Sequence, residues 1–253
     1  MPRPAVPLND EDKLLVRHVL DIAERAKHSS RALYSAFLDD RQLAMCEAAL
    51  KSNKEDGFET IGGYDGAERR VIAFGRNYDE YSEPPFTAVV FNYPADRELS
   101  HRDFLGSLMA LGIKRELLGD ILVGKGRTSV FVMNTALPLV RDMTKIGNTG
   151  VKITDDFSAE DIPEQEYDEI HTTVASLRLD AVTAAAFRIS RDKSAELIRS
   201  KGVNHNRVMT FSASDKVSEG DRFSIRGFGK FELSEVGGQS KKDRIFITIR
   251  KYR

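Results

Sequence analysis

Apolar residues recur at helical spacing near the start of the chain. Leu15, Val19, Ile22 and Ala26 follow a polar opening with Asn9 at the cap and Asp10, Glu11 and Asp12 in an acidic first turn, which predicts a helix. Leu43, Cys46 and Leu50 predict a second helix from about Asp39 to Ser52. Glycines in ETIGGYDGAERR then lead into VIAFG, which reads as a strand. Pro84 and Pro85 in SEPPF break regular structure and mark the expected start of a new unit.

From Thr87 the order of elements becomes informative. TAVVFNYP reads as a strand, and HRDFLGSLMALGI as a helix with Phe104, Leu105, Leu108 and Leu111 on its apolar side. GDILVG and TSVFVMN are two strands, ALPLVRDMTKIG a second helix and GVKITDDF a fourth strand. This β-α-β-β-α-β order predicts a ferredoxin-like open antiparallel sheet with both helices on one face. Phe91, Tyr93 and Phe131 are then expected in the core, facing the helices. Asp155 to Ile170 holds eight acidic residues and no Lys or Arg, which reads as a connector. Beyond it, two short helices are predicted at about Asp180–Phe187 and Arg191–Ser200. Short strands follow near VMTF, DRFSIRG, GKFELS and RIFITIRKY. The predicted class is α+β in four parts: an N-terminal helical and strand region (1–82), a middle domain (83–158), an acidic connector (159–175) and a small α+β domain (176–253).

Charge changes this picture. The formal net charge of -1 hides two opposed halves. From Ser176 to Arg253 there are 17 Lys and Arg against 9 Asp and Glu, a net of +8. The first 175 residues carry 21 basic and 30 acidic side chains, a net of -9. A basic segment of this size suits a polyanionic partner. Cys46 is the only cysteine, so neither an intrachain disulfide nor a cysteine-rich zinc site forms, and it is expected buried rather than nucleophilic. MPRPAVPLND lacks the apolar core of a signal peptide. No run approaches the roughly 18–20 apolar residues that span a bilayer. A cytoplasmic monomer without cofactor or metal is the expectation. The five histidines form no metal pattern, and GKGRTS lacks phosphate-loop spacing and fits a hairpin.

Within the basic segment, Ser190 is placed to cap the second helix, with Asp192 in its first turn. A helix N-terminus beside an arginine suits a phosphate. Asp180 reads as a structural residue that caps the preceding helix and orients Arg178. The order Arg178-Leu179-Asp180, Ser190-Arg191, Ala195 with Leu197-Ile198, Val203, Asn206, then Val217 with Gly220-Asp221 resembles the S4 RNA-binding domain. That resemblance implies an RNA groove bordered by Arg178, Arg188, Ser190, Arg191, Ser194, Arg199 and Lys201. Arg207, Arg226 and Lys230 extend it from the small sheet. The helix exit departs from the family pattern. Lys201 stands where glycine is usual, Gly202 directly precedes Val203, and Arg207 follows Asn206 where glycine is common. Arg178-Leu179-Asp180 with Thr183 is also similar to the signature of pseudouridine synthases, but Leu177 replaces its glycine. A catalytic Asp180 is therefore not expected, and an RNA-modifying enzyme or its accessory subunit remains the alternative.

GGYDGAERR, HRDFLGSLMALGIKRELLGDILV and SLRLD match, in order, the pattern of YlmH-type bacterial RNA-binding proteins. This resemblance implies an RRM-like middle domain, a terminal S4 domain and no enzymatic activity. It also implies binding to ribosomal RNA and tRNA on the large ribosomal subunit, in quality control of stalled peptidyl-tRNA complexes, and a link to cell division. Lys114 and Arg115 are candidate secondary RNA contacts, weighed equally against a helix-to-strand turn. Glu68-Arg69-Arg70 carries the same balance between a salt-bridged strand entry and a basic contact.

Overall fold

The computed structural model describes residues 9–75, 83–163, 166–206, 208–225 and 227–252. Residues 1–8, most of the stretch read for a leader, lie outside this set, as do the candidate RNA contacts Arg207 and Arg226. By their contacts the described residues form two units, 9–163 and 166–252.

In the first unit, Asn9 caps α1 (Asp10–Ala26) by accepting from the Asp12 amide at 2.7 Å. Strand β1 (Leu33–Tyr34) precedes α2 (Asp40–Ser52), which starts with a reciprocal Asp39/Gln42 capping box. Strands β2 (Phe58–Ile61) and β3 (Val71–Phe74) complete an antiparallel sheet in the order β1-β3-β2. Val19, Ile22, Leu43, Cys46 and Leu50 from the helices pack on Ile72 and Phe74 of this sheet. Arg41 of α2 reaches Asp12 of α1 at 3.0 Å, and its guanidinium holds that buried carboxyl below the usual range. Burial pushes the Cys46 thiol up to about 12, so it stays protonated and unreactive.

The chain continues through β4 (Phe86–Asn92), α3 (His101–Ala110), β5 (Leu118–Val123) and β6 (Arg127–Met133). Next come α4 (Leu137–Arg141), a small hairpin of β7 (Lys145–Ile146) and β8 (Thr149–Gly150), and β9 (Lys152–Thr154). The second sheet is antiparallel with the order β5-β6-β4-β9. The second predicted helix is cut short at Arg141, and the β7–β8 hairpin takes its remaining length. Leu111 falls just past the end of α3 and is 43% exposed, so it does not join the apolar side.

Both faces of this second sheet are covered. On one, Val89, Phe91 and Val130 pack against Phe104 and Leu108 of α3 and Val140 of α4. Phe91 meets Phe104 edge-on at 5.5 Å. Phe131 is buried as expected, but it faces the other way. It pairs across the strands with Ala88, out of phase with Phe91, and joins Phe37, Val71, Phe86 and Tyr64 in a second apolar layer. Its ring stacks on Tyr64 at 5.8 Å and meets Phe157 at 5.1 Å. The boundary expected at Pro84-Pro85 therefore separates two sheets that share a core, because Phe86 is buried in that layer immediately after the prolines.

Gly63 is a tight point of this contact, since a Cβ there would lie 2.1 Å from Phe131 Cε1. Gly63→Ala is expected to cost about 1–2 kcal/mol in urea unfolding, at the lower side of the overpacking range because the loop can shift. An unchanged midpoint would show that the layer is loosely packed.

The second unit runs β10 (Tyr167–Val174), α5 (Leu179–Phe187), α6 (Arg191–Lys201), β11 (Val203–His205) and β12 (Val208–Thr210). It ends with β13 (Arg222–Ile225), β14 (Gly229–Gln239) and β15 (Ile245–Tyr252). The six strands lie in the order β10-β15-β14-β13-β11-β12. Leu179, Val182 and Ile198 of the helices pack on Val203, Phe223, Phe231, Leu233 and Ile249 of the sheet.

The acidic stretch is not a plain connector. Tyr167–Val174 is an edge strand, paired with β15 from Tyr167↔Tyr252 to Val174↔Ile245. Upstream, Arg127 of β6 forms ion pairs with Asp156 and Asp161, which tie that half to the first unit. The acids leave water only partly. Alternate residues Ile170, Thr172 and Val174 turn inward while Tyr167, Glu169 and His171 stay exposed.

Candidate nucleic-acid interface

The α5–α6 pair is organised by one buried carboxylate. Asp180 sits in the first turn of α5 and is 5% exposed. It accepts from Arg178 at 3.0 Å and pairs with Arg191, the first residue of α6, at 3.2 Å. Burial pushes the Asp180 carboxyl up, and the two guanidiniums outweigh burial and hold it below the usual range. Asp180 orients Arg178 as the sequence predicts, but it does not cap α5. Arg178 itself occupies the cap position, and its side chain makes no capping hydrogen bond. The first amides of α5 are taken by the loop before β13: Leu179 N donates to Asp215 O at 2.9 Å and Asp180 N to Ala213 O at 3.0 Å. This helix start therefore offers no open anion site.

Ser190 does cap α6, its hydroxyl accepting from the Lys193 amide at 3.3 Å. The predicted basic residues of this helix divide into two groups. Arg178 and Arg191 share the single charge of Asp180. Arg188, Arg199 and Lys201 are exposed and form no ion pair among the described residues. Arg188 lies between the helices in the left-handed conformation, φ 54°. Lys230 is also exposed, at the start of β14. Ser194 is corrected: it is fully buried, and its Oγ has no hydrogen-bond partner among the described residues, so it does not face a ligand. Two further exposed lysines were not among the expected groove residues. Lys193 lies on α6, and Lys216 bridges the backbone of Arg178.

The unusual exit of α6 resolves into a specific turn. Gly202, φ 73°, ends the helix one residue after Lys201. Asn206 takes the left-handed conformation (φ 48°), and its side-chain oxygen accepts from Arg222 N at 2.8 Å. That arrangement does the work a glycine does elsewhere. His205 is 4% exposed, stacks on Phe223 at 4.8 Å and meets Asp221 at 2.8 Å, so it is structural.

The secondary candidates in the first unit also divide. Arg115 is half-buried and donates to the carbonyls of Leu118 at 2.8 Å and Gly119 at 3.1 Å. Arg69 donates to Leu118 O at 2.8 Å and Phe37 O at 3.1 Å. Burial first, and then Arg115, push Arg69 down to about 10. Asp120 accepts from the Glu68 and Arg69 amides at 2.8 and 3.0 Å. GGYDGAERR and GIKRELLGD thus join the two sheets of this unit, and only Lys114 of the candidate pair is fully exposed. Among the described residues no cluster of His, Cys, Asp and Glu is placed to hold a metal. Among them, too, no helix is long and apolar enough to cross a membrane.

Residues 86–160 match the family model described as "Putative RNA-binding domain in YlmH". The "Ribosome-associated protein quality control protein P2" of Bacillus subtilis (strain 168) is 32% identical over 246 residues, covering 95% of each chain. The chain belongs to the YlmH family. A solved structure, "Cell division protein ylmH from Streptococcus pneumoniae", is 22% identical, covering 62% of this chain and 98% of that one with a TM-score of 0.48. The region matched by the YlmH model holds nine basic and nine acidic residues, whereas the segment from Ser176 carries a net of +8.

Proposed function

We propose that this protein is a non-enzymatic RNA-binding factor of ribosome-associated quality control. In this reading 176–253 is an S4-type domain and 83–158 an RRM-like one. The protein acts as a cytoplasmic monomer that grips ribosomal RNA and tRNA on a large subunit carrying stalled peptidyl-tRNA. The observation that carries the reading is the α5–α6 pair, which presents Arg188, Arg199 and Lys201 exposed and without an ion pair among the described residues. The name of the Bacillus relative supplies the ribosomal setting. A cell-division role rests on the name of the streptococcal protein alone.

Binding here is electrostatic and shape-based. Cations on a fixed helix pair neutralise phosphates and release counterions, and stabilising one tRNA state requires only tighter binding to that state. The RRM-like sheet contributes no base-stacking face, because Phe131 and its neighbours are covered by Phe37 and Tyr64. Contacts from that unit, with Lys114 the first candidate, come from edges and loops. Asp180 is committed to two arginines, which favours a tie over a nucleophile.

Sedimentation of the protein with purified ribosomal subunits tests this proposal. Co-migration with large subunits, lost progressively as salt is raised, is expected. Equal recovery with both subunits, or none with either, would overturn it.

A further inference from the structure

Two exposed aromatic rings flank the exit of α6. Phe211 follows β12 and is 46% exposed. It lies against the helix exit, since a Cβ on Gly202 would sit 3.0 Å from its ring. Phe228 is 37% exposed in the turn between β13 and β14, held between Gly227 (φ 83°) and Gly229 (φ 98°). Lys201 Nζ lies 4.9 Å from the Phe228 centroid. Phe228 meets Phe187 edge-on at 5.4 Å, which fixes the ring. The turn thus presents, at a sheet tip, a ring that is anchored on Phe187 and keeps more than a third of its surface open. Lys201, the last residue of α6, has a charge that meets no carboxylate among the described residues.

We propose that this exit is a single-strand RNA subsite, where unpaired bases stack on Phe211 and Phe228 while Lys201 takes an adjoining phosphate. The inference rests on the RNA-binding reading and adds the state of the RNA that is recognised. A π-face with a cation beside it and no anion matches a nucleotide, which brings a flat ring and a phosphate together. A base arriving on Phe228 displaces the Lys201 ammonium from the ring and offers it a phosphate within reach of its flexible stem. Bases in a duplex are stacked on each other and closed to such a ring, so the subsite selects unpaired segments with little sequence preference.

The chain contains no tryptophan, so Phe228→Trp installs a unique reporter. Its fluorescence is expected to be quenched by single-stranded oligouridine and not by an RNA duplex of equal length. In parallel, Phe211→Leu with Phe228→Leu keeps the apolar volume, and circular dichroism confirms the fold. That variant should lose roughly tenfold in affinity for the single strand and keep its affinity for the duplex. Absence of quenching, or equal loss for both RNAs, would overturn the subsite while leaving RNA binding intact. A wild-type protein that binds neither RNA would remove the RNA-binding reading itself.

Discussion

Replacing Arg188, Arg199 and Lys201 together by alanine is expected to weaken binding to ribosomal RNA about 10–100-fold near physiological salt. The slope of log affinity against log salt should fall by about 2–3, close to one for each phosphate contact removed. These three cations are the informative choice because none is part of an ion pair that holds the fold, among the described residues. Their removal should change stability by no more than about 0.5 kcal/mol, as for ordinary surface substitutions. Arg191 would be a poorer probe, since its guanidinium ties α6 to Asp180 and its loss mixes folding with binding. Fluorescence anisotropy over a salt series reads both quantities. An unchanged slope would mean that these side chains do not meet phosphates.

Asp180→Ala should produce the second large effect, on stability. It leaves two guanidiniums facing each other without their shared carboxylate at the junction of α5 and α6. Breaking a fully buried pair costs about 3–5 kcal/mol. Arg178 and Arg191 keep side-chain exposures of 39% and 48%, and water screens them, so about 2–3 kcal/mol is expected in urea unfolding. The pH dependence has a definite sign. The folded-state pKa of Asp180 is depressed, so its contribution is complete above the unfolded carboxyl pKa and is lost as pH falls through the folded value. Asp180→Asn should therefore flatten the acid limb of the stability curve below about pH 4. A variant as stable as wild type would refute the tie. Uridine modification by the wild type that vanishes in Asp180→Ala would instead favour an RNA-modifying enzyme.

The elements that were legible in the sequence are those whose local signals and burial agree. α6 could be placed from Ser190 and the apolar set around Leu197 and Ile198, because cap and helical period point to the same register. The six-element order of the second sheet followed in the same way. β10 stayed hidden because it begins inside the acidic run, with Asp168 and Glu169 among its first residues, and its inward positions include only two strongly apolar residues, Ile170 and Val174. The opposite facing of Phe131 was visible in principle. TSVFVM is apolar without alternation, the mark of a strand buried on both faces, whereas a one-sided sheet was assumed. At the candidate site, the S4 resemblance offered Arg188, Arg199 and Lys201, but no local signal separates them from Arg178 and Arg191. That distinction depends on Asp180 lying between two helices. Ser194 was misassigned because a small polar residue in a basic helix reads as surface, whereas the fold buries it fully. Phe228 had a readable signal, a phenylalanine between two glycines in a turn, which no core position requires.

Crosslinking the protein to RNA in living cells, with the attachment mapped on both partners, tests the central claim most directly. Attachment of peptides from α5, α6 and the strands that follow to large-subunit ribosomal RNA and to tRNA is the expected result. Crosslinks confined to messenger RNA, or found only on the first unit, would contradict the account.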